Sequence, residues 1–172
     1  MVEAMFGRIQ IPRWLGVITH LAAFPMVFVV APWALSTLDV RHGWTGPSPG
    51  VWNLLGLILV GAGSFFYVLC LRVHFAAAPQ GWFLERTPHY PTPAYLLTSG
   101  PYSRSRHPAY MAEGIILLGW IVFHGSLVLA GILGLSSLIL GPIVLPREER
   151  GLDARFGEVY RDYCRKTPRF LW

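Results

Sequence analysis

Four apolar stretches alternate with polar segments along this chain of 172 residues. They run approximately over residues 14–38, 51–75, 108–123 and 127–145. A helix needs about 20 mostly apolar residues to cross a bilayer, so only the third stretch is clearly short. The last two stretches are separated by three residues, His124 to Ser126, which predicts a tight helical hairpin. The pattern therefore predicts an all-α integral membrane protein with four transmembrane helices.

The composition agrees with a membrane environment. Hydrophobic residues make up 53% of the chain and charged residues only 13%, whereas soluble domains carry about 25% charged residues. Because a soluble fold of this size could not bury so much apolar surface, we expect one membrane-embedded domain over residues 1–172. Cys70 lies in an apolar stretch and Cys164 in a charged tail, and both are interpreted as free thiols.

Small residues in two of the apolar stretches predict where helices approach closely. Lipid is as apolar as the helices themselves, so helix association in a bilayer depends on close packing at small residues. The candidates are Gly61, Gly63, Gly131, Gly134, Ser136 and Ser137.

Basic residues are distributed unevenly over the polar segments. With four spans, thirteen of the fourteen Lys and Arg residues fall on one side and only Arg41 on the other. Since basic residues concentrate on the cytoplasmic side, both termini and the loop 76–107 are predicted to be cytoplasmic. This distribution explains the net charge of +5 without a nucleic-acid partner. The sequence shows no secretory signal or transit peptide, which favours a prokaryotic inner membrane.

Two of the cytoplasmic segments are long. The loop 76–107 is rich in proline, which prevents regular helix, and in aromatic residues, which argue against disorder. We interpret it as a functional loop without regular secondary structure. The tail 146–172 has apolar residues at helical spacing and predicts an amphipathic helix. That helix either contributes to a site or rests on the membrane surface.

A first cluster of polar residues marks the entry of the third span. Arg104, Arg106 and His107 precede Pro108, which suits the first turn of a helix. Glu113 follows inside the apolar stretch, where a carboxylate is costly and usually functional. The alternative is an ion pair between Glu113 and Arg106 or a neighbouring arginine that only holds helices together.

A second cluster follows the fourth span, where Glu148 and Glu149 are adjacent. Alone, they would indicate a solvated helix start. Their predicted position on the same side as the first cluster indicates a shared polar site. His20, His74 and His124 lack comparable neighbours in sequence and are interpreted as structural. No spacing of Cys and His indicates a metal site.

The two clusters together resemble a known family pattern. GPYxxxRHPxY over residues 100–110 is followed by EExxL from Glu148 and FGxxYxxY from Phe156. This combination resembles the isoprenylcysteine carboxyl methyltransferase and phospholipid methyltransferase families, over residues 97–170. The sequence departs from the common pattern at Ala112, which bears on packing against the cofactor. It also departs at residues 169–171, which bears on the identity of the acceptor.

The resemblance implies an integral membrane methyltransferase that uses S-adenosylmethionine. Carboxylates suit the cationic groups and hydroxyls of this cofactor, and Arg and His suit its carboxylate. The fingerprint G-x-G-x-x-G is absent, so the cofactor would not be held by the soluble dinucleotide-binding architecture. The residues implied in cofactor binding are Tyr102, Arg106, His107, Tyr110, Glu113, Glu148 and Glu149.

Arg106 and Glu149 are the candidate catalytic residues. If the acceptor is a prenylcysteine-type carboxylate, Arg106 orients it and no general base is required. If the acceptor is a lipid amine or hydroxyl, a carboxylate such as Glu149 takes or guides a proton. In both cases a lipophilic or lipidated acceptor enters from the bilayer, among membrane lipids. The sequence does not choose between the two.

Two other functional classes remain open at this point. One is a membrane oxidoreductase similar to the sterol reductases, although such chains are usually longer and have more spans. The other is a non-catalytic membrane scaffold or small transporter, in which Glu113 serves as a proton or ion site. Binding of S-adenosylmethionine separates all three classes.

Overall fold

The computed structural model describes residues 8–39, 50–78, 81–86, 91–93 and 95–170. The predicted loop 76–107 is therefore described only in part, since residues 79–80, 87–90 and 94 lie outside these ranges. Arg41 and the last two residues of the predicted tail also lie outside them.

Helices are the main elements of the described chain, as predicted, and a small sheet accompanies them. In chain order the elements are β1 (Arg8–Pro12), α1 (Arg13–Pro25), a π-helical turn (Met26–Val30), α2 (Ala31–Ser36), α3 (Val51–Ala77), β2 (Gly81–Arg86), β3 (Pro91–Pro93), a 3₁₀ turn (Gly100–Ser103), α4 (Pro108–His124), α5 (Leu127–Ile139), a second π-helical turn (Leu140–Val144), α6 (Leu145–Phe156) and α7 (Glu158–Lys166).

Three helical stretches are long and apolar enough to cross a membrane. They are Arg13–Ser36, Val51–Ala77 and Leu127–Phe156. The helix α4 is apolar but has only 17 residues, so the count of four spans stays a prediction. Large apolar side chains lie on the outside of these helices, with Leu21 72% and Trp52 80% exposed. Such surfaces are unfavourable in water and suit contact with lipid.

The chain divides into two compact units. The first comprises Met1–Thr19, Cys70–His107 and Ile139–Trp172. The second comprises His20–Leu69 and Pro108–Leu138.

In the second unit, α3 and α4 approach each other at glycine positions. A methyl group on Gly119 would lie 2.6 Å from the carbonyl oxygen of Gly56, so neither position has room for a side chain. A methyl group on Gly63 would lie 2.7 Å from the Ile116 side chain. The predicted close contact at Gly63 is therefore confirmed. The same prediction is wrong where a methyl group would meet no described atom within 4 Å, at Gly61, Gly131 and Gly134.

The predicted helical hairpin is confirmed in the second unit. The helix α4 ends at His124 and α5 begins at Leu127. Gly125 takes a φ of +62°, a left-handed conformation that glycine adopts readily at the end of a helix. The Ser126 hydroxyl accepts a hydrogen bond from the Leu129 N–H at 3.1 Å, so it caps the start of α5.

The first unit contains a three-stranded antiparallel sheet that the sequence pattern did not predict. Its order is β1-β2-β3. The strand β1 pairs with β2 from Arg8 opposite Glu85 to Pro12 opposite Gly81. The predicted loop 76–107 thus contains two short strands. Proline is compatible with β3 because that strand is at the edge of the sheet and ends at Pro93.

The tail differs from the single amphipathic helix that was predicted. The helix that begins at Leu127 continues without a break to Phe156. A π-helical turn at Leu140–Val144 accommodates Pro142, whose ring is incompatible with a regular α-helix interior. The first helical break comes at Gly157, which has a φ of +54°, and α7 follows it. The tail therefore consists of two helices, and the first of them extends the fourth apolar stretch.

Candidate active site

Glu149 lies at the centre of a charged cluster in the first unit. Its carboxylate oxygen Oε1 is 2.9 Å from Nη1 of Arg106, 3.2 Å from Nε2 of His107 and 3.0 Å from Nε of Arg169. A second Arg169 nitrogen bonds to Oε2. The Glu149 side chain is only 13% exposed. One largely buried carboxylate therefore organises two guanidinium groups and an imidazole.

The segment after α7 holds Arg106 and His107 in place. The Arg106 N–H donates to the Pro168 carbonyl at 3.0 Å. The Ser105 hydroxyl donates to the Arg169 carbonyl at 3.0 Å and accepts from the His107 N–H at 3.2 Å. These contacts fix the loop before α4 to the end of the chain, so the tail is part of the site.

A tyrosine of α7 holds a second part of the same loop. The Tyr163 hydroxyl donates to the Tyr102 carbonyl at 2.5 Å. Burial raises the pKa of Tyr163 to about 12, so this hydroxyl stays protonated and remains a donor at neutral pH. The position of the Tyr102 ring therefore depends on α7.

The Tyr102 side chain contacts His74, for which the sequence alone indicates only a structural role. The Nε2 atom of His74 lies 2.9 Å from the Tyr102 hydroxyl, and the two rings meet edge to face with centroids 5.7 Å apart. Tyr102 is buried. The sequence offered no signal for this contact, because His74 is at the end of α3, far from the motif in sequence.

Two cavities open beside the cluster. The smaller has a volume of about 80 Å³ and is lined by His74, Tyr95, Tyr102 and Glu148 among others. The larger is an open groove of about 390 Å³, and Glu149 lines it. Arg106 and Tyr160 line both cavities. Functional ligand pockets span roughly 300–1,000 Å³, so only the groove has that size.

Arg106 also carries a buried polar atom, its Nε, that lacks a hydrogen-bond partner among the described residues. Burial would lower the pKa of Arg106, but the Glu149 carboxylate, Cys164 and Tyr160 together outweigh burial and raise that pKa. Buried polar groups in folded proteins are usually satisfied, so a polar ligand is the expected partner of the Nε atom.

Five of the seven residues implied in cofactor binding lie in the first unit. Besides the contacts of Glu149, the His107 Nδ1 lies 3.9 Å from a Glu148 oxygen. The two others, Tyr110 and Glu113, belong to α4 in the second unit. The structural alternative for Glu113 is an ion pair with Arg106 or a neighbouring arginine. In the structure, Arg106 pairs with Glu149. The residues of the first unit are Tyr102, Arg106, His107, Glu148 and Glu149.

Both departures from the family pattern fall at informative positions. Arg169 pairs with Glu149, and the Phe170 ring lies 6.4 Å from the His107 ring. These contacts make the end of the chain a neighbour of the predicted cofactor residues. Ala112 is fully buried, and its carbonyl oxygen would lie 3.0 Å from a methyl group on Gly63. Ala112 therefore lies where α3 and α4 meet in the second unit.

Comparison with known families gives one match of wide coverage. Residues 51–159 match the family model described as phospholipid methyltransferase. This range contains Arg106, His107 and the Glu148–Glu149 pair, and it ends before Cys164 and Arg169.

Three relatives match parts of the chain. A nickel-cobalt-cadmium resistance protein, NccN, of Alcaligenes xylosoxydans xylosoxydans is 39% identical over 76 residues, which cover 44% of this chain and 35% of that protein. A cobalt-zinc-cadmium resistance protein, CzcN, of Cupriavidus metallidurans has the same identity and coverage. An uncharacterized protein of Haemophilus influenzae is 35% identical over 63 residues, which cover 36% of this chain and 98% of that protein. The match spans about a third of the length of the two resistance proteins.

Proposed function

Since this chain belongs to the phospholipid methyltransferase family, we propose that it transfers a methyl group from S-adenosylmethionine to a lipophilic acceptor. The acceptor is a prenylcysteine-type carboxylate or a lipid amine or hydroxyl, and it reaches the site from the bilayer. We further propose that both termini are cytoplasmic and that the protein resides in a prokaryotic inner membrane. The two metal-resistance proteins match less than half of this chain. The similarity therefore supports a shared segment and not a shared role in metal resistance.

The observation that carries the proposal is the cluster around Glu149. Arg106 and His107 from the loop before α4 meet Glu149 from α6 at 2.9 and 3.2 Å. These residues stand in the motif positions that the resemblance associates with the cofactor. Their contact supports a single polar site built by the two motifs.

The residues of the first unit fit the cofactor chemically. Its sulfonium and ammonium groups need carboxylates, and its own carboxylate needs a guanidinium or imidazole group. Glu148 and Glu149 meet the first need, and Arg106 and His107 meet the second. The Arg106 Nε, which has no hydrogen-bond partner among the described residues, adds a polar atom that a nucleoside can use. The groove of about 390 Å³ has the size of a small-molecule site.

S-adenosylmethionine, when bound, would supply an electrophilic methyl group. The residues of the chain then have to align donor and acceptor and exclude water. Arg106 suits the orientation of an acceptor that carries a negative charge. With such an acceptor no side chain has to accept a proton.

An amine or hydroxyl acceptor must lose a proton, which a carboxylate of the acidic pair would take or guide. Three partners hold the Glu149 carboxylate in its charged form beside the groove. We therefore keep Glu149 as the candidate that guides the proton and holds Arg106 and Arg169.

Methyl transfer to isolated lipids tests this proposal. The purified protein is incubated with S-adenosylmethionine labelled in its methyl group, with vesicles of phosphatidylethanolamine or with a farnesylated cysteine. We expect label in the organic extract with one of these acceptors, and none with Arg106→Ala. Reduction of a sterol by NADPH, without any binding of S-adenosylmethionine, would favour the oxidoreductase alternative.

A further inference from the structure

One side of the helical stretch Leu127–Phe156 carries a row of exposed side chains in the first unit. Ile139 and Ile143 are 44% and 43% exposed, and Arg147 and Arg150 are also exposed. Successive members of the row are three or four residues apart, and such residues lie on the same side of a helix. We call these four side chains the exposed stripe.

The polarity of the exposed stripe changes where the helix is expected to leave the bilayer. About 20 helical residues cross the hydrocarbon core, and the apolar stretch begins at Leu127, so the core ends close to Arg147. Ile139 and Ile143 are thus level with acyl chains, whereas Arg147 and Arg150 are level with the lipid headgroups. Arginine at that level is attracted by anionic lipids.

The two arginines of the exposed stripe are available to an outside anion. Among the described residues, no carboxylate lies within ion-pair distance of Arg147 or Arg150. The Nε of Arg150 donates to the Pro146 carbonyl at 3.0 Å, which leaves its terminal amino groups for another acceptor. Asp153, which follows on the same helix, is held by Arg161 at 3.0 Å. Like charges three residues apart on a helix repel each other, and an anion bound to both would relieve that repulsion.

The exposed arginines of α7 provide an internal contrast. Arg165 is 62% exposed, and it pairs with Glu158 at 2.9 Å and with Asp162. Arg161 pairs with Asp153 and with Glu158, each at 3.0 Å. Carboxylates of the chain itself neutralise these two arginines, so they offer less charge to an outside anion than the exposed stripe does.

We propose that the exposed stripe binds a phospholipid with a net negative charge, of the phosphatidylglycerol class. The acyl chains lie along the two isoleucines, and the phosphate accepts hydrogen bonds from Arg147 and Arg150. A free phosphate has no acyl chain for the isoleucines, and a zwitterionic lipid brings a cation to the arginines, so neither matches both halves. Arg150 also lines the groove, so the headgroup of the bound lipid lies at the edge of the candidate site. This inference does not depend on methyl transfer.

The first experiment compares two lipids that differ only in the headgroup. The detergent-purified protein is titrated with phosphatidylglycerol or phosphatidylcholine of identical acyl chains, and the bound lipid is counted by native mass spectrometry. We expect at least about tenfold tighter binding of phosphatidylglycerol, since each basic residue contributes about a fivefold gain. Equal affinities would overturn the proposal. Displacement of the lipid by glycerol phosphate at equal concentration would also overturn it, because the site would then bind phosphate alone.

The second experiment assigns the charge selectivity to the exposed stripe. Arg147→Gln and Arg150→Gln should each weaken the binding of phosphatidylglycerol about fivefold and leave that of phosphatidylcholine unchanged. Arg165→Gln is the matched control, because it removes the same charge from an exposed position that is already paired. Its affinities should equal those of the wild type. Equal weakening by all three variants would mean that only the net charge matters, which contradicts a site on the stripe.

The third experiment locates the acyl chains. Phosphatidylglycerol that carries a photoreactive group in its acyl chain is irradiated with the protein, and labelled peptides are identified by mass spectrometry. The peptide that contains Ile139 and Ile143 should be labelled, and an excess of unlabelled phosphatidylglycerol should suppress that label. Label that is found only on other helices, or that the excess leaves unchanged, would contradict the proposed position of the lipid.

Discussion

Arg106 and Glu149 form an ion pair in which a guanidinium nitrogen lies 2.9 Å from a carboxylate oxygen. The two side chains are only 18% and 13% exposed, so little solvent screens them. They come from the two sequence clusters that the family resemblance connects. The pair is thus both a structural link between these clusters and the centre of the proposed site.

We predict that Glu149→Gln reduces both stability and cofactor affinity. The change leaves two guanidinium groups without their carboxylate, and loss of one partner from a buried ion pair costs about 3–5 kcal/mol. Affinity for S-adenosylmethionine should fall at least about tenfold. Thermal unfolding in detergent and equilibrium binding measure the two effects.

The matched control is Glu148→Gln at the neighbouring position. The Glu148 side chain is 25% exposed, whereas that of Glu149 is 13% exposed, so the loss of Glu148 should lower the free energy of unfolding less than the loss of Glu149 does. Its cofactor affinity should still fall. If Glu148→Gln binds normally and Glu149→Gln only unfolds more easily, the acidic pair is structural.

Glu113→Gln separates binding from stability in the second unit. Glu113 forms no hydrogen bond or ion pair with any residue in the described ranges, so its replacement should not lower the melting temperature. We predict that the affinity for S-adenosylmethionine falls at least about tenfold, or about 1.4 kcal/mol. A lower melting temperature with normal affinity would mean that Glu113 stabilises the fold and does not bind the cofactor.

The paired glycines of α3 and α4 allow a stability test that does not involve the site. Gly56→Ala would place a methyl group against the backbone of Gly119, and overpacking of this kind costs about 1–3 kcal/mol. Gly131→Ala is the control, because a methyl group there meets no described atom within 4 Å. We expect a lower melting temperature for the first variant only. Equal melting temperatures would contradict the close helix contact.

Much of the helical fold was predictable because the change from apolar to polar residues shows where most of the helices begin and end. The predicted spans agree within a few residues with the helical stretch Arg13–Ser36 and with α3 and α4. The sheet was not predictable from a local pattern, because β1 pairs with a strand about 70 residues later. The continuation of the fourth stretch to Phe156 was missed because the predicted span ends where the apolar residues give way to charged ones, after Leu145.

The candidate site was predictable where its residues follow one another in a motif. Arg106 and His107 are neighbours in the first motif and Glu149 belongs to the second, so the family pattern names all three residues. His74 and Arg169 were missed because only tertiary structure brings them to Tyr102 and Glu149. Residues 169–171 depart from the family pattern, and that departure is the sequence feature that draws attention to Arg169.

Reporter fusions test the predicted orientation, which depends on the distribution of basic residues. Fusions after Thr87 and after Trp172 should report a cytoplasmic location, and a fusion after Arg41 a periplasmic one. A periplasmic result at either of the first two positions would contradict the arrangement of four spans.

Equilibrium binding of radiolabelled S-adenosylmethionine to the detergent-purified protein tests whether this site holds the methyl donor. We predict saturable binding at one site per chain, competition by S-adenosylhomocysteine, and no competition by NADPH. Arg106→Ala should reduce the affinity at least about tenfold, because the guanidinium is the proposed partner of the cofactor carboxylate. Absence of saturable binding by the folded wild-type protein, or displacement of the label by NADPH, would contradict the assignment of this site to methyl transfer.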